Sequence, residues 1–152
     1  MKNDKTNKVI ARVAPSPTGY LHIGTARVAL FNFLFAKKYG GTFILRIDDT
    51  DKERSKKEYE ENIIDCLLWL GLSWNLIYKQ SERTDIYKKH LKKLVDEDRA
   101  YVSKEEAKKE GDREEVIRFR NPNKKIGFAD LVRGNIEFDT TDLGDFVIAK
   151  SS

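Results

Sequence analysis

Cysteine is almost missing from this chain: Cys66 stands alone among 152 residues, which rules out an internal disulfide and a multi-cysteine metal site. Its position in an apolar helical pattern predicts a buried, inert thiol, as suits a reducing compartment. Long apolar runs are missing too. No stretch approaches the roughly 18 apolar residues that a membrane span needs, and the polar residues 1–8 are not followed by the apolar core of a leader. The expectation is a cytoplasmic protein without membrane association. An excess of one charge sign is also small, because 29 Lys and Arg nearly balance 25 Asp and Glu and leave a net +4. Attraction to nucleic acid would then rest on local patches rather than on an overall field. Neither GxGxxG nor GxxxxGK[ST] occurs, so no dinucleotide fingerprint or Walker loop is available to hold a phosphate.

What is present is patterned. With 39% hydrophobic and 36% charged residues, the chain has room for one compact domain, or for a small domain plus a piece of another. Val9 to Ala14 is β-prone and stops at Pro15-Ser16-Pro17-Thr18-Gly19, where two prolines and a glycine forbid a continued element. From about Thr25 to Lys38, Ala26, Ala29, Leu30, Phe33 and Leu34 recur at helical spacings, and Gly40-Gly41 marks the stop. Val28, Phe31 and Phe35 widen that stripe, which predicts a helix covered on most sides. Thr42 to Ile47 lacks polar alternation and reads as a parallel strand buried on both faces, completing a βαβ unit.

Ser55-x-x-Glu58 has the form of a capping box for a second helix, with Tyr59, Ile63, Cys66, Leu67 and Leu70 inward until Gly71. Leu76 to Tyr78 follows as a third short strand. Thr84 is placed to cap a third helix with Tyr87, Leu91, Leu94 and Val95 inward and Lys88, Lys89, Lys92 and Lys93 outward. Residues 1–100 thus read as α/β, the first half of a Rossmann-like fold with parallel strands. Composition shifts after Tyr101. Lys104 to Glu115 is nearly all charged or small, which predicts a solvated helix or loop. Beyond it, Val116 to Arg120, Ile136 to Phe138 and Phe146 to Ala149 are short strand-like runs, so residues 101–152 read as part of a small β-rich α+β insertion.

The chemistry concentrates in Arg12 to Thr25, which sets a cation, hydroxyls, an imidazole and a glycine between a strand and a helix N-terminus. Ligands of open α/β sheets bind at such carboxyl ends of strands. The helix N-terminus offers partial positive charge and free N–H groups to a phosphate chain, and Gly24 would let phosphates approach the backbone. His22 can donate to a phosphate oxygen.

These residues resemble the first signature of class I aminoacyl-tRNA synthetases, whose HIGH tetrad stands here as His22-Ile23-Gly24-Thr25, with Thr25 in place of the second histidine. The preceding Arg12-Val13-Ala14-Pro15-Ser16-Pro17-Thr18-Gly19 and the later Arg46-Ile47-Asp48-Asp49-Thr50-Asp51 resemble the glutamyl branch of that class. Gln80-Ser81-Glu82-Arg83 and Asp130-Leu131-Val132-Arg133-Gly134 follow in the expected order, so the likeness covers nearly the whole chain.

The resemblance implies a glutamate–tRNA ligase whose substrates are L-glutamate, ATP with Mg²⁺, and tRNA(Glu), monomeric at full length. It implies that Arg12, Ala14 and Ser16 line the glutamate pocket, with Asp48 receiving the ammonium; many bacterial members carry Glu there. It implies that Thr18, Gly19, His22, Gly24 and Thr25 hold ATP, with His22 and Thr25 catalytic. It places residues 101–152 in the inserted domain that binds the tRNA acceptor end. Relatives that bind zinc do so through cysteines near the equivalent of Ala100-Tyr101, where Val102 and Ser103 stand here, so no zinc is expected. The second signature, KMSKS, and the anticodon-binding region are not found, and the chain alone is expected to be inactive.

Other readings stay open at this point. A glutaminyl-tRNA synthetase, a paralogue that glutamylates a modified tRNA base, and a non-catalytic nucleotide- or tRNA-binding module share parts of the pattern. Among individual residues, Asp49 and Asp51 read as turn and cap residues. His90 reads as structural, the lysines of the third helix as a solvated face, and Trp69 and Trp74 as core.

Overall fold

The computed structural model describes residues 8–104 and 115–150. Residues 105–114, most of the charged stretch expected to be solvated, lie outside the described residues. The chain divides into two compact units, Met1–Thr84 and Asp85–Ser152, so the division falls ahead of the composition change at Tyr101.

The first unit alternates strand and helix: β1 (Ile10–Val13), α1 (Ile23–Lys38), β2 (Thr42–Ile47), α2 (Lys57–Trp69) and β3 (Leu76–Lys79), closed by a 3₁₀ turn at Ser81–Arg83. The strands form a parallel sheet in the order β1-β2-β3, with Arg12 opposite Ile44 and Arg46 opposite Tyr78. Two successive crossovers of the same hand, each stepping one strand in the same direction, put both helices on one face. That face holds the core: Ala11, Val13, Phe43, Leu45 and Ile47 from the strands pack with Ala29 and Ala36 of α1 and Ile63 and Leu67 of α2.

Two sequence expectations fail here for that reason. Burial along β2 alternates, with Phe43, Leu45 and Ile47 buried and Thr42, Ile44 and Arg46 partly open. The strand is therefore covered on one face within this unit, not on both. Helix α1 likewise buries a narrow stripe of small residues, Ala29 and Ala36, which lets its backbone approach the sheet. Val28, Leu30, Phe31 and Leu34 remain exposed.

Helix ends follow the chemistry of their residues unevenly. Lys37 and Lys38 sit in the last turn of α1, where they complement the dipole, and Gly71 follows α2 at φ +73°, the left-handed conformation that suits glycine. The capping box at Ser55 does not form. The N-cap of α2 is Lys56 without a side-chain bond, Glu58 accepts from the Tyr20 hydroxyl instead, and the Ser55 hydroxyl is buried with no partner. Thr84 is no cap either, since its hydroxyl donates back to the Ser81 carbonyl at 3.0 Å. Trp69 is 85% exposed, which corrects its reading as core, whereas Trp74 does pack against the core. Cys66 is partly exposed rather than buried.

The second unit carries most of α3 (Thr84–Asp96), then β4 (Ala100–Lys104), β5 (Glu115–Phe119), β6 (Lys125–Asp130), β7 (Gly134–Asp139) and β8 (Phe146–Lys150). Strands β4-β5-β8 form an antiparallel sheet and β6-β7 a hairpin. Of these, β4 and β6 have no counterpart among the strand-like runs read from the sequence. Their apolar runs are short, Ala-Tyr-Val in β4 and two pieces interrupted by Gly127 in β6, and it is cross-strand pairing that makes them strands. No helix among the described residues is long and apolar enough to cross a membrane.

Candidate functional site

At the carboxyl end of β1, residues 14–22 form the loop that the sequence singles out, and its shape is fixed by contacts with the segment after β2 and with α2. The Pro15 carbonyl accepts from the Asp48 N–H at 2.9 Å, and the Pro17 carbonyl accepts from the Lys56 N–H at 3.0 Å. Pro17 is fully buried. Further along, the Leu21 N–H donates to the Asn62 side chain at 3.0 Å. Tyr20 stands edge-on to Tyr59 with ring centroids 5.1 Å apart, and its hydroxyl bonds Glu58, whose carboxylate holds the phenol above its ordinary pKa. Helix α2 therefore acts as the wall against which the loop is set.

The loop ends at His22, which is the N-cap of α1 in extended conformation. Its Nδ1 accepts from the Gly24 N–H at 3.2 Å, and its Nε2 lies 3.1 Å from the Thr25 hydroxyl. In a neutral imidazole an accepting Nδ1 leaves the hydrogen on Nε2, so Nε2 donates to Thr25. The Thr25 hydroxyl hydrogen is then directed away from the ring. Gly24 has a local reason to lack a side chain, since a Cβ there would come within 2.9 Å of the His22 ring.

A cavity of about 260 Å³ opens beside this junction, lined by Pro15, Ser16, Thr18, Gly19, Tyr20, Leu21, His22, Thr25 and Ile63. It brings together Ser16, Thr18, Gly19, His22 and Thr25 of the residues singled out from the sequence. Arg12, Ala14, Gly24 and Asp48 are not in its lining. Arg12 is exposed on the sheet face that carries no helix of this unit. By register and alternation it shares that face with Ile44 and Arg46.

Asp48, one residue past β2, is engaged by its own strand. The Arg46 Nε and Nη2 donate to its two carboxylate oxygens at 2.5 and 2.9 Å. Asp49 and Asp51 serve the turn, as their sequence context suggests. Asp49 accepts from the Ser81 N–H at 2.9 Å and hydroxyl at 2.6 Å. Burial, the largest single influence, would raise the Asp49 carboxyl, but these two bonds, its own backbone N–H and the Lys79 charge together leave it below the ordinary carboxylate value. Asp51 accepts from the Arg54 N–H at 3.1 Å and pairs with its guanidinium at 2.6 Å.

Sequence reading missed Tyr20, Leu21, Glu58, Asn62 and Ile63 as parts of this site. Asn62, half-buried next to Ile63 on α2, is a polar group that needs a partner, but its sequence context does not say that the partner is this loop.

Comparison with known proteins places these residues in context. The family model for the catalytic domain of class I tRNA synthetases (E and Q) matches residues 8–109. The chain is 45% identical over 179 residues to a glutamate–tRNA ligase of Aquifex aeolicus (strain VF5), covering 95% of this chain and 38% of that protein. It is 45% identical over 177 residues to one of Hydrogenobaculum sp. (strain Y04AAS1), with 94% and 38% covered. Among solved structures, the crystal structure of a glutamate tRNA ligase from Elizabethkingia meningosepticum CCUG26117 in complex with its amino acid is similar at a TM-score of 0.84 and 32% identity, over 94% of this chain and 38% of that one. The chain thus spans a little over a third of the length of these relatives.

Proposed function

Since this chain belongs to the class I tRNA synthetases for glutamate and glutamine, matching their catalytic-domain model over residues 8–109, we propose that it supplies the first half of the active site of a glutamate–tRNA ligase. The observation that carries this reading is the junction at His22, where Ser16, Thr18, His22 and Thr25 converge on one cavity at a helix N-terminus.

In the proposed reaction the glutamate α-carboxylate attacks the α-phosphorus of ATP, the bond to pyrophosphate breaks, and the acyl group passes from adenylate to the terminal ribose of tRNA(Glu). Little proton transfer is needed. The contribution asked of the protein is to hold two anions in line and to answer charge on the leaving group. Thr25, oriented by His22, donates a hydrogen bond to a phosphate oxygen, and Thr18 and Gly19 border the nucleotide. The N-terminal dipole of α1 acts on the same charge.

Arg12, Ala14 and Ser16 face glutamate, and Arg12 supplies the cation for a substrate carboxylate. Asp48 faces its ammonium. Mg²⁺ is proposed to enter with the nucleotide phosphates, which supply much of its oxygen coordination in such sites. The proposal includes no zinc: Val102 and Ser103, next to Ala100-Tyr101, carry no thiolate. Residues 1–100 are assigned to the first half of the catalytic domain and residues 101–152 to part of the acceptor-binding insertion. The full-length protein is proposed to be a cytoplasmic monomer.

The test is ATP–pyrophosphate exchange by the full gene product with cognate tRNA. Exchange with glutamate and none with glutamine is expected, and His22→Ala should lower the rate on the order of 10²- to 10³-fold, because Thr25 is then no longer held as a preorganised donor. Exchange driven by glutamine, or unaffected by His22→Ala, would overturn the reading.

A further inference from the structure

The carboxylate proposed to meet the substrate ammonium is not free in this structure. Both oxygens of Asp48 are held by one guanidinium, Nε to Oδ1 at 2.5 Å and Nη2 to Oδ2 at 2.9 Å. The pair is 28% and 22% exposed on the two side chains, so it is neither a solvated surface pair nor a core one. The Asp48 main chain is pinned as well, by its N–H to the Pro15 carbonyl at 2.9 Å. Arg46 stands on the same sheet face as Arg12, one strand over and two residues nearer the carboxyl end. Two arginines and one aspartate therefore share a face where the proposed substrate brings two carboxylates and one ammonium.

We propose that Arg46 is a positioning residue for Asp48: its planar fork orients the carboxylate toward the substrate ammonium and, with its charge offset by Asp48, leaves Arg12 as the cation that reads a substrate carboxylate. This rests on the glutamate-ligase reading above. A fork that takes both oxygens fixes the carboxylate plane, which a lysine ammonium cannot do. Each oxygen keeps a further lone pair for a donor, so an ammonium can join without displacing Arg46. The arrangement also states a division of labour between two arginines of equal charge, one orienting an acid, the other binding an anion.

The experiment measures KM and kcat for glutamate and for ATP in pyrophosphate exchange, on the full gene product and on Arg46→Met, Arg46→Lys, Asp48→Asn and the Arg46→Met/Asp48→Asn double variant. Positioning predicts that Arg46→Met raises KM for glutamate on the order of 10- to 100-fold with little change in KM for ATP. Arg46→Lys, which keeps the charge and loses the fork, should recover only a small part. The double variant should be no worse than Asp48→Asn, because a residue that acts through another adds nothing once that one is removed.

Multiplying effects in the double variant, or full rescue by Lys, would overturn the proposal. The glutamate reading fails separately, if Asp48→Asn leaves KM for glutamate unchanged. Should Arg46→Met fail to fold, the wild-type chain still decides: NMR of the Arg46 Nε–H should show a slowly exchanging proton that shifts on adding glutamate and is lost in Asp48→Asn. A rapidly exchanging Nε–H would contradict the proposal.

Discussion

At the scale of single residues, His22 carries two duties that one substitution can separate. As N-cap of α1 it satisfies the Gly24 N–H, and through Nε2 it orients Thr25. His22→Ala should lose both, costing about 0.5 to 2 kcal/mol of stability for the cap together with nucleotide affinity. His22→Asn can cap but cannot reach Thr25 in the same way, so denaturation should find near-native stability while KM for ATP still rises. Equal damage by both variants to stability and KM would contradict the separation. The tetrad was legible in the sequence because its members lie within four residues of one another. Asn62 and Glu58 were not, because they meet the loop only after α2 folds back on it.

At the scale of elements, register and handedness decide what composition leaves open. The glycine pair after α1 reads as a helix stop, yet Gly41 has a second role that only the sheet reveals: a Cβ there would sit 2.4 Å from the Val9 carbonyl oxygen. Gly41→Ala should therefore destabilise the first unit by about 1 to 3 kcal/mol, whereas Gly19→Ala, with nothing near the added atom, should be close to neutral in denaturant melts. The capping box at Ser55 was misread because its pattern is local and Glu58 is drawn away by Tyr20 across the loop.

In the second unit Asp145 is the tie between strands. The Asn121 N–H at 2.7 Å and the Tyr101 hydroxyl at 3.0 Å hold its carboxyl below the ordinary value. A carboxyl depressed in the folded state contributes its stability above its unfolded pKa, about 3.9, and loses it as pH falls through the folded value. The acid melt of this unit should therefore be shallower below about pH 4 in Asp145→Asn, although the variant is less stable at neutral pH. An unchanged acid slope would show that Asp145 is not the tie.

At the scale of the whole molecule, α1 presents Val28, Leu30, Phe31 and Leu34 to solvent, with exposures from 42% to 62%. Such a contiguous apolar face favours association. The 152-residue chain by itself should show concentration-dependent sedimentation, reduced by Phe31→Glu and Leu34→Glu. Fold class and the order of elements in the first unit were readable because each βαβ step carries its own periodicity. The open sheet face was not, since an apolar strand looks the same whether its second face is covered within the unit or not.

The central claim is that one end of the parallel sheet holds two anionic substrates at neighbouring places, nucleotide at the His22 junction and amino acid beside Arg12 and Asp48. Titrating the isotope-labelled chain separately with Mg–ATP and with L-glutamate, and following amide and side-chain shifts, tests it most directly. ATP should move Thr18, Gly19, Gly24 and Thr25 together with the His22 ring, and glutamate should move Arg12, Arg46 and Asp48. Shifts confined to the opposite end of the sheet, around Phe33, Lys37 and Trp74, or the same residues answering both ligands, would contradict it.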